Sequence, residues 1–256
     1  MDLQTILVRD LDKVVLIGTR ISMLMVFAPF FSSTAIPMPV QAGVTVAFTA
    51  LMFPVLHSFP AVPSFAGWVQ VLLGEAMVGL AIGLVMNFAF EGIEMAGEVA
   101  GFQLGYSLES SIDPTTQAAT PVLSVVYENL ALLFFIGLGM HRWMLLSLAK
   151  SYEYLPVGAV RLSRSGMMGL MRASGSIFVI GVELAGPVLL ATILTDFSLG
   201  FMNKAAPQFP VVFTSISIKI LLGMGLLILS LGFWPGLLNG YFSKALTTTH
   251  WLLRGW

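Results

Sequence analysis

Cysteine is absent from this sequence of 256 residues, and histidine occurs only three times. The absence of cysteine excludes disulfide bonds, thiolate nucleophiles and metal sites built on sulfur. The sequence holds no zinc-protease, serine-hydrolase, Walker or dinucleotide-binding motif that would supply catalytic groups. His57, His141 and His250 each lie near the end of an apolar run, a position typical of interfacial side chains. The sequence therefore predicts no enzyme, no metal site and no cofactor.

Charged residues are also scarce. They make up 10% of the chain, whereas a soluble domain carries about 25%. Hydrophobic residues make up 57%, and the mean hydropathy is +0.92. Such a chain cannot cover its surface with groups that water solvates, so membrane lipid is an expected partner. The formal net charge of -1 leaves no basic field for nucleic acid, and we expect no nucleic-acid partner.

Long apolar runs dominate the rest of the sequence. A helix rises about 1.5 Å per residue, so about 20 residues cross the hydrocarbon and about 17 is the lower limit. Six runs fit this range, two of them barely, at residues 14–31, 40–56, 69–90, 122–140, 177–202 and 211–234. They are too long and too uniformly apolar for barrel strands. We therefore predict an all-α membrane protein with about six long apolar helices, kinked at prolines, plus shorter helices.

Glycines repeat at four-residue spacing in three places. Gly79 and Gly83 form the first set, and the others lie at residues 97–105 and 232–240. Small residues at this spacing let helix backbones approach closely, within one chain or between chains.

Basic residues cluster in residues 141–176, and counting them by the positive-inside rule predicts a cytoplasmic N-terminus. Acidic residues at positions 2, 10 and 12 argue against a cleaved signal peptide.

Ionisable residues inside the apolar runs are the groups whose burial needs an explanation. They are Arg20, Glu75, Glu128, Glu183, Asp196 and Lys219. Each costs at least about 2.5 kcal/mol at the bilayer centre if it faces lipid, so each should pair, line water or face another subunit. Structural pairing or contact between subunits is one interpretation. An ion or proton path is the alternative.

Two further clusters have an ordinary and a functional interpretation. At about 100° per residue, Glu91, Glu94 and Glu98 fall on one face of a helix. That polar face could lie on a solvated surface helix or line an aqueous lumen. The thioethers of Met167, Met168 and Met171 either fill gaps in the packing or conform to a pore opposite them.

Six strings of the sequence are distinctive. They are RISMLMVFAPFFSSTAIPMPVQAG at 20–43, GEAMVGLAIGL at 74–84, AGEVAGFQLGYSLESSIDPTTQ at 96–117, PVL at 121, LPVG at 155 and APQFPVVF at 206–213. These strings resemble the FliR family of flagellar biosynthetic proteins, which belong to the type III export gate. The resemblance covers nearly the whole chain in order, with the DPTTQ and APQ strings as its most specific parts, and its virulence counterpart, the SctT family, is the alternative.

The resemblance implies a place in the bacterial inner membrane, within the flagellar basal body. It implies that the chain forms an export gate with FliP and FliQ homologues, beside FlhB and FlhA homologues, and conducts exported unfolded polypeptides. It also implies two parts, a FliP-like helical part at residues 1–176 and a FliQ-like helical hairpin with a C-terminal tail at 177–256. A proton-coupled secondary transporter, driven through Glu75, Glu128 or Glu183, is a different class of function that the buried charges leave open.

The resemblance further implies a pore plug at residues 106–117. Its bulk would come from Tyr106, Leu108 and Ile112, its turn from Asp113 and Pro114, and its end is Gln117. The hairpin loop, at residues 203–210, would include Lys204, Pro207 and Gln208, and Pro210 stands where the family pattern predicts Asn. Counting basic residues predicts that this loop lies on the non-cytoplasmic side of the membrane, whereas the resemblance implies that it points toward the cytoplasm. We adopt the orientation that the resemblance implies.

The hairpin geometry predicts one buried ion pair. If the two helices turn about the middle of residues 203–210, Lys219 lies level with Leu194. Asp196 is then offset by about 3 Å along the axis, which a lysine side chain can reach. We therefore expect Asp196 and Lys219 to pair, the alternative being that each faces a neighbouring subunit.

Overall fold

Helices account for every regular element in the described part of the chain. The computed structural model describes residues 3–32, 36–56, 64–106, 122–160, 163–206, 208 and 211–256. Several of these helices are long and apolar, and neighbouring helices form bent pairs. The prediction of an all-α membrane protein is therefore confirmed.

The first four helices occupy residues 3–104. They are α1 (Leu3–Phe27), α2 (Pro29–Ser32), α3 (Met38–Met52) and α4 (Phe65–Leu104). Proline begins the two short helices, at Pro29 in α2 and in the first turn of α3, where the missing N–H would have no intrahelical partner. The apolar run 69–90 lies within α4, but α4 continues to Leu104 through the acidic positions that follow the run.

Six more helices complete the described chain. They are α5 (Val122–Gly137), α6 (Met140–Tyr154), α7 (Arg164–Ser174), α8 (Ser176–Ala205), α9 (Val211–Ser230) and α10 (Trp234–Arg254). Pro187 lies inside the continuous α8, while Pro235 falls in the first turn of α10. The break between α5 and α6 occurs at Gly139, whose φ of 69° is accessible to glycine at little cost. A glycine therefore marks this break, whereas Pro187 does not interrupt α8.

The described residues form two compact units. Unit 1 contains those of Met1–Phe88, Gly139–Ser174 and Phe242–Trp256, and unit 2 contains those of Ala89–Leu138 and Gly175–Tyr241. Both α4 and α10 contribute residues to each unit. α4 passes from unit 1 to unit 2 after Phe88, and α10 passes from unit 2 to unit 1 after Tyr241. The two units are defined by contacts and do not correspond to the predicted FliP-like part at residues 1–176 and FliQ-like part at 177–256. That division of the sequence stays a prediction.

Close approach of α1 and α4 organises unit 1. A Cβ atom at Gly79 would overlap the backbone oxygen of Arg20, and one at Gly83 would lie 2.8 Å from the Cβ of Phe27. Ile17, Ile21 and other side chains of α1 are fully buried beside this contact. The first glycine pair therefore acts as a helix-packing site within one chain, as small residues at this spacing allow.

In unit 2, α5 packs against both α4 and the first turn of α10. The ring of Tyr127 on α5 packs edge-on against Trp234, with centroids 4.9 Å apart. Gly97 of α4 lies against the backbone of Ser124 on α5, where a Cβ would come within 2.6 Å of the Ser124 Cα. By contrast, Gly236 and Gly240 have open space where a Cβ would stand. The third glycine set is therefore not a close helix contact within the described chain.

The number of candidate membrane spans differs from the number of apolar runs. Phe65–Leu104 and Arg164–Ala205 are each long and apolar enough to cross a membrane. Counting the bent pairs α5 with α6 and α9 with α10 as one span each gives up to four in the described residues. The run 14–31 begins in α1, which also carries Asp10, Asp12 and Lys13, and continues into α2. The helix α3 has only 15 residues.

Replacing Gly79 by alanine should destabilise the full-length chain. The added methyl group would displace the backbone of α1, and overpacking of this kind costs about 1–3 kcal/mol. The melting temperature in detergent should fall by several degrees, since about 1 kcal/mol corresponds to about 2–4 °C at this chain length.

Gly43→Ala is the matched control, because no atom lies within 4 Å of its added Cβ on α3. Alanine stabilises a helix interior by about 1 kcal/mol relative to glycine, so this variant should melt at or above the parent temperature. Equal melting temperatures for the two variants would contradict the close approach of α1 and α4.

Candidate functional site

A buried ion pair joins α1 to α4 in unit 1. The side chains of Arg20 and Glu75 are both 0% exposed, and Arg20 Nε donates to Glu75 Oε2 at 2.7 Å. Each charge therefore has its opposite within hydrogen-bond distance. A buried charge without such a partner would be costly, because removing it from water is not compensated.

The guanidinium group of Arg20 also holds the end of α6. Nη1 donates to Ser151 Oγ at 3.1 Å, and Nη2 donates to the carbonyl oxygen of Leu155 at 3.1 Å. The ring of Tyr152 lies under the guanidinium, 4.1 Å from Cζ to centroid. Arginine suits this position because its planar fork places donors in several fixed directions at once.

The second carboxylate oxygen of Glu75 holds the segment that follows α6. The backbone N–H of Gly158 donates to Glu75 Oε1 at 3.0 Å. Gly158 has a φ of 79°, a backbone conformation that favours glycine. We define the buried cluster as the buried residues Arg20, Glu75, Ser151 and Leu155, together with the exposed Gly158 that donates to Glu75. The buried cluster thus ties α1, α4, α6 and the following turn together.

The chemistry of the buried cluster is that of a structural clamp. Both oxygens of Glu75 already accept hydrogen bonds, and Arg20 donates in three directions. Within the ranges that the structure describes, no group of three or more His, Asp or Glu side chains could hold a metal ion. The geometry therefore indicates that the buried cluster holds α1, α4 and α6 in place.

The hairpin charges lie together in unit 2. Lys219 Nζ on α9 is 2.5 Å from Asp196 Oδ1 on α8, and their side chains are 16% and 50% exposed. Glu183, the other acidic residue of α8, accepts a hydrogen bond from the hydroxyl of Tyr241 at 2.6 Å. The half-exposed Asp196 has a surface available for a further polar contact.

Three of the four acidic residues of α4 share one stretch of unit 2. Glu91 and Glu98 are exposed and Glu94 is half-buried. Glu94 experiences the negative charges of both neighbours and of the exposed Glu128 on α5. Like charges gathered in this way favour contact with water or cations.

Most of the predicted plug lies outside the described residues. Tyr106, at the end of α4, is 38% exposed. The other plug positions, Leu108, Ile112, Asp113, Pro114 and Gln117, lie outside the described ranges. In the hairpin loop, Lys204 and Gln208 are exposed, and Pro207 lies outside these ranges.

Two contacts were not predicted from the sequence. Arg20 and Glu75 were recognised as needing partners but were not assigned to each other, and Tyr241 was not assigned to Glu183. A signal for the first pair was present, because Glu75, Gly79 and Gly83 fall at i, i+4 and i+8 on one face of α4. The face that admits a close helix is also the face that presents the carboxylate.

Replacing Glu75 by glutamine should destabilise the chain by about 3–5 kcal/mol, because Arg20 would remain buried without a counter-charge. Glu153→Gln, an exposed position on α6, serves as the control and should change stability by no more than about 0.5 kcal/mol. Thermal melting of the full-length chain in detergent would measure both. Indistinguishable melting temperatures would contradict the clamp.

Alanine at either Asp196 or Lys219 should impair assembly of the chain into its membrane complex more than alanine at both. A single replacement leaves one charge unpaired, at about 2.5 kcal/mol or more if it meets hydrocarbon. The yield of membrane complex is the measurement, and Ser198→Ala, an exposed position on α8, is the matched control. Additive losses in the double variant would count against the pair.

Comparison with known proteins gives the family of this chain. The model of the family described as bacterial export proteins, family 1, matches residues 11–245. The flagellar biosynthetic protein FliR of Pectobacterium carotovorum subsp. carotovorum is 33% identical over 227 residues, which cover 88% of this chain and 86% of that protein.

Two further relatives carry the same name. FliR of Escherichia coli (strain K12) is 30% identical over 210 residues, 81% of this chain and 80% of that protein. FliR of Bacillus subtilis (strain 168) is 24% identical over 241 residues, 93% of each. The resemblance predicted from the sequence motifs is confirmed. The chain belongs to the FliR family of bacterial export proteins.

Proposed function

We propose that the protein is a structural and channel-forming subunit of the flagellar type III protein export gate. In this role it conducts unfolded polypeptide across the bacterial inner membrane, within the flagellar basal body. The observation that carries the proposal is the family match over residues 11–245, together with relatives named for flagellar biosynthesis. The long apolar helices support a membrane location.

The exposed apolar faces of the α8–α9 hairpin support assembly with other subunits. Phe178, Leu190, Leu194, Phe197 and Phe201 on α8 are each 65–74% exposed. A single chain leaves these side chains without protein neighbours, so lipid or another subunit must cover them. FliP, FliQ, FlhB and FlhA homologues are the proposed partners.

A charged group on the same helix supports contact between subunits. Asp196 is half exposed although it is paired with Lys219. It lies in a shallow groove on α8 lined by Ile193, Phe197, Gly200 and Lys204. A partner that donates a hydrogen bond to Asp196 would remove the cost of leaving its free side in an apolar environment.

The acidic face of α4 and the segment that follows it form the proposed conduction path. Exposed carboxylates at Glu91 and Glu98 would keep a lumen hydrated. Residues 106–117, which begin at the end of α4, would close that lumen when no substrate is present. The protein acts without catalysis in this proposal, and other components supply the driving force.

The channel role can be tested by deleting residues 106–117 in the native bacterium. If the segment is the plug, the export complex should still assemble, and small solutes should leak across the inner membrane. Leakage of a small dye and secretion of flagellar substrates should be measured in the same cells.

Two comparisons make this experiment decisive. A strain lacking the whole gene should neither export flagellar substrates nor leak, because no gate forms. A strain carrying Glu153→Gln, an exposed change away from the segment, should behave as the parent strain. Normal assembly of the deletion variant with unchanged permeability would refute the plug, and normal export without the gene would refute the role in the gate.

A further inference from the structure

The outer face of α7 is apolar although it is exposed. Met167, Met168 and Met171 are 52%, 42% and 70% exposed. At about 100° per residue these three side chains fall within an arc of about 100°, and the buried Gly166 and Gly169 lie on the opposite face. The helix therefore presents methionine outward and glycine inward.

The inner face of α7 is fixed against the end of α10 in unit 1. A Cβ atom at Gly166 would overlap the indole ring of Trp256, and one at Gly169 would overlap Leu252. Ser163 and Ser165 hydroxyls donate to the carbonyl oxygen of Gly255, at 2.5 and 3.1 Å. The methionine face consequently cannot turn inward without breaking this packing.

An aromatic ring and a cation of α10 extend the same surface. Trp251 is 56% exposed and packs beside Gly169. The exposed Arg254 stacks on the ring of Tyr154, 5.0 Å from Cζ to centroid. We define the basic–methionine surface as Met167, Met168, Met171 and Trp251 with Arg164, Arg172 and Arg254.

The sequence around this surface is strongly basic. Gly139–Ser174 and Phe242–Trp256 together contain one acidic residue, Glu153. The basic residues of these two segments are Arg142, Lys150, Arg161, Arg164, Arg172, Lys244 and Arg254. The surface therefore carries a local positive charge in a chain whose formal net charge is -1.

The surface lies next to a membrane-spanning segment in the sequence. The apolar run 177–202 begins five residues after Arg172 and thirteen after Arg164. At about 1.5 Å per residue, these arginines lie within about 8 and 20 Å of the hydrocarbon boundary. Basic residues in this zone are attracted to anionic lipid headgroups, and the attraction fades within about one Debye length.

We propose that the basic–methionine surface binds the headgroup layer of anionic phospholipids. The arginines contact lipid phosphate, while the methionine and Trp251 side chains enter the boundary between headgroups and acyl chains. A free phosphate ion would satisfy the arginines but leave the apolar side chains in water. The apolar half of the surface thus favours a lipid.

The test compares lipid preference in the full-length chain. Nanodiscs containing phosphatidylcholine with phosphatidylglycerol would be prepared with the parent protein and with variants. Spin-labelled forms of each lipid then report their relative association with the protein. Arg172→Gln should lower the preference for phosphatidylglycerol about fivefold at low salt, and Arg164→Gln and Arg254→Gln should each lower it by a smaller factor. Raising the salt to about 1 M should remove the preference.

Two control variants separate charge from folding. Lysine at the same three positions keeps the charge and should keep most of the preference. Lys204 is exposed and lies about 42 Å along α8 from the first residue of that helix. Lys204→Gln should therefore change the preference for phosphatidylglycerol little. A parent protein without preference for phosphatidylglycerol would overturn the proposal. A triple glutamine variant that keeps the preference for phosphatidylglycerol would also overturn it. So would a triple glutamine variant that loses a co-purifying protein but keeps the same preference for phosphatidylglycerol.

Discussion

The Arg20–Glu75 pair determines how four separate segments of unit 1 can be arranged. Both side chains are fully buried, and three further hydrogen bonds join them to Ser151, Leu155 and Gly158. Any shift of α1 along α4 would break the pair and expose two charges to an apolar environment, at a cost of several kcal/mol. The register of the helices follows from this requirement, since buried polar groups must find their partners within the chain.

Backbone contact and charge pairing depend on each other in this arrangement. The absent side chain of Gly79 lets the backbone of α1 reach α4, and the same face of α4 carries Glu75 one turn earlier. A larger residue at position 79 would push the backbone of α1 away from α4 and strain the contacts of Arg20. Hydrocarbon itself gives little preference for one helix neighbour over another, so close packing and polar contacts must select the partner.

The helices were largely predictable because each apolar run is a local property of the sequence. All six runs correspond to helices, and the predicted hairpin has its two helices at α8 and α9. The extension of α4 to Leu104 was not predicted, because the charged face of its last turns resembles a surface segment. Pairing of Arg20 with Glu75 was not predicted, because 55 residues separate them and only the packing of α1 on α4 brings them together. Asp196 and Lys219 are only 23 residues apart in the sequence, on consecutive helices, so counting residues relates their depths.

The wide sequence separation within the buried cluster also affects how the chain is made. Arg20 leaves the ribosome 55 residues before Glu75 and 135 before Leu155. At about 5–20 residues per second, the arginine waits about 3–11 s for its carboxylate and about 7–27 s for its carbonyl. During that interval α1 cannot rest as a finished helix in lipid without an uncompensated charge. We therefore expect the first helix to remain beside the insertion machinery, or in the headgroup layer, until most of the chain has been translated.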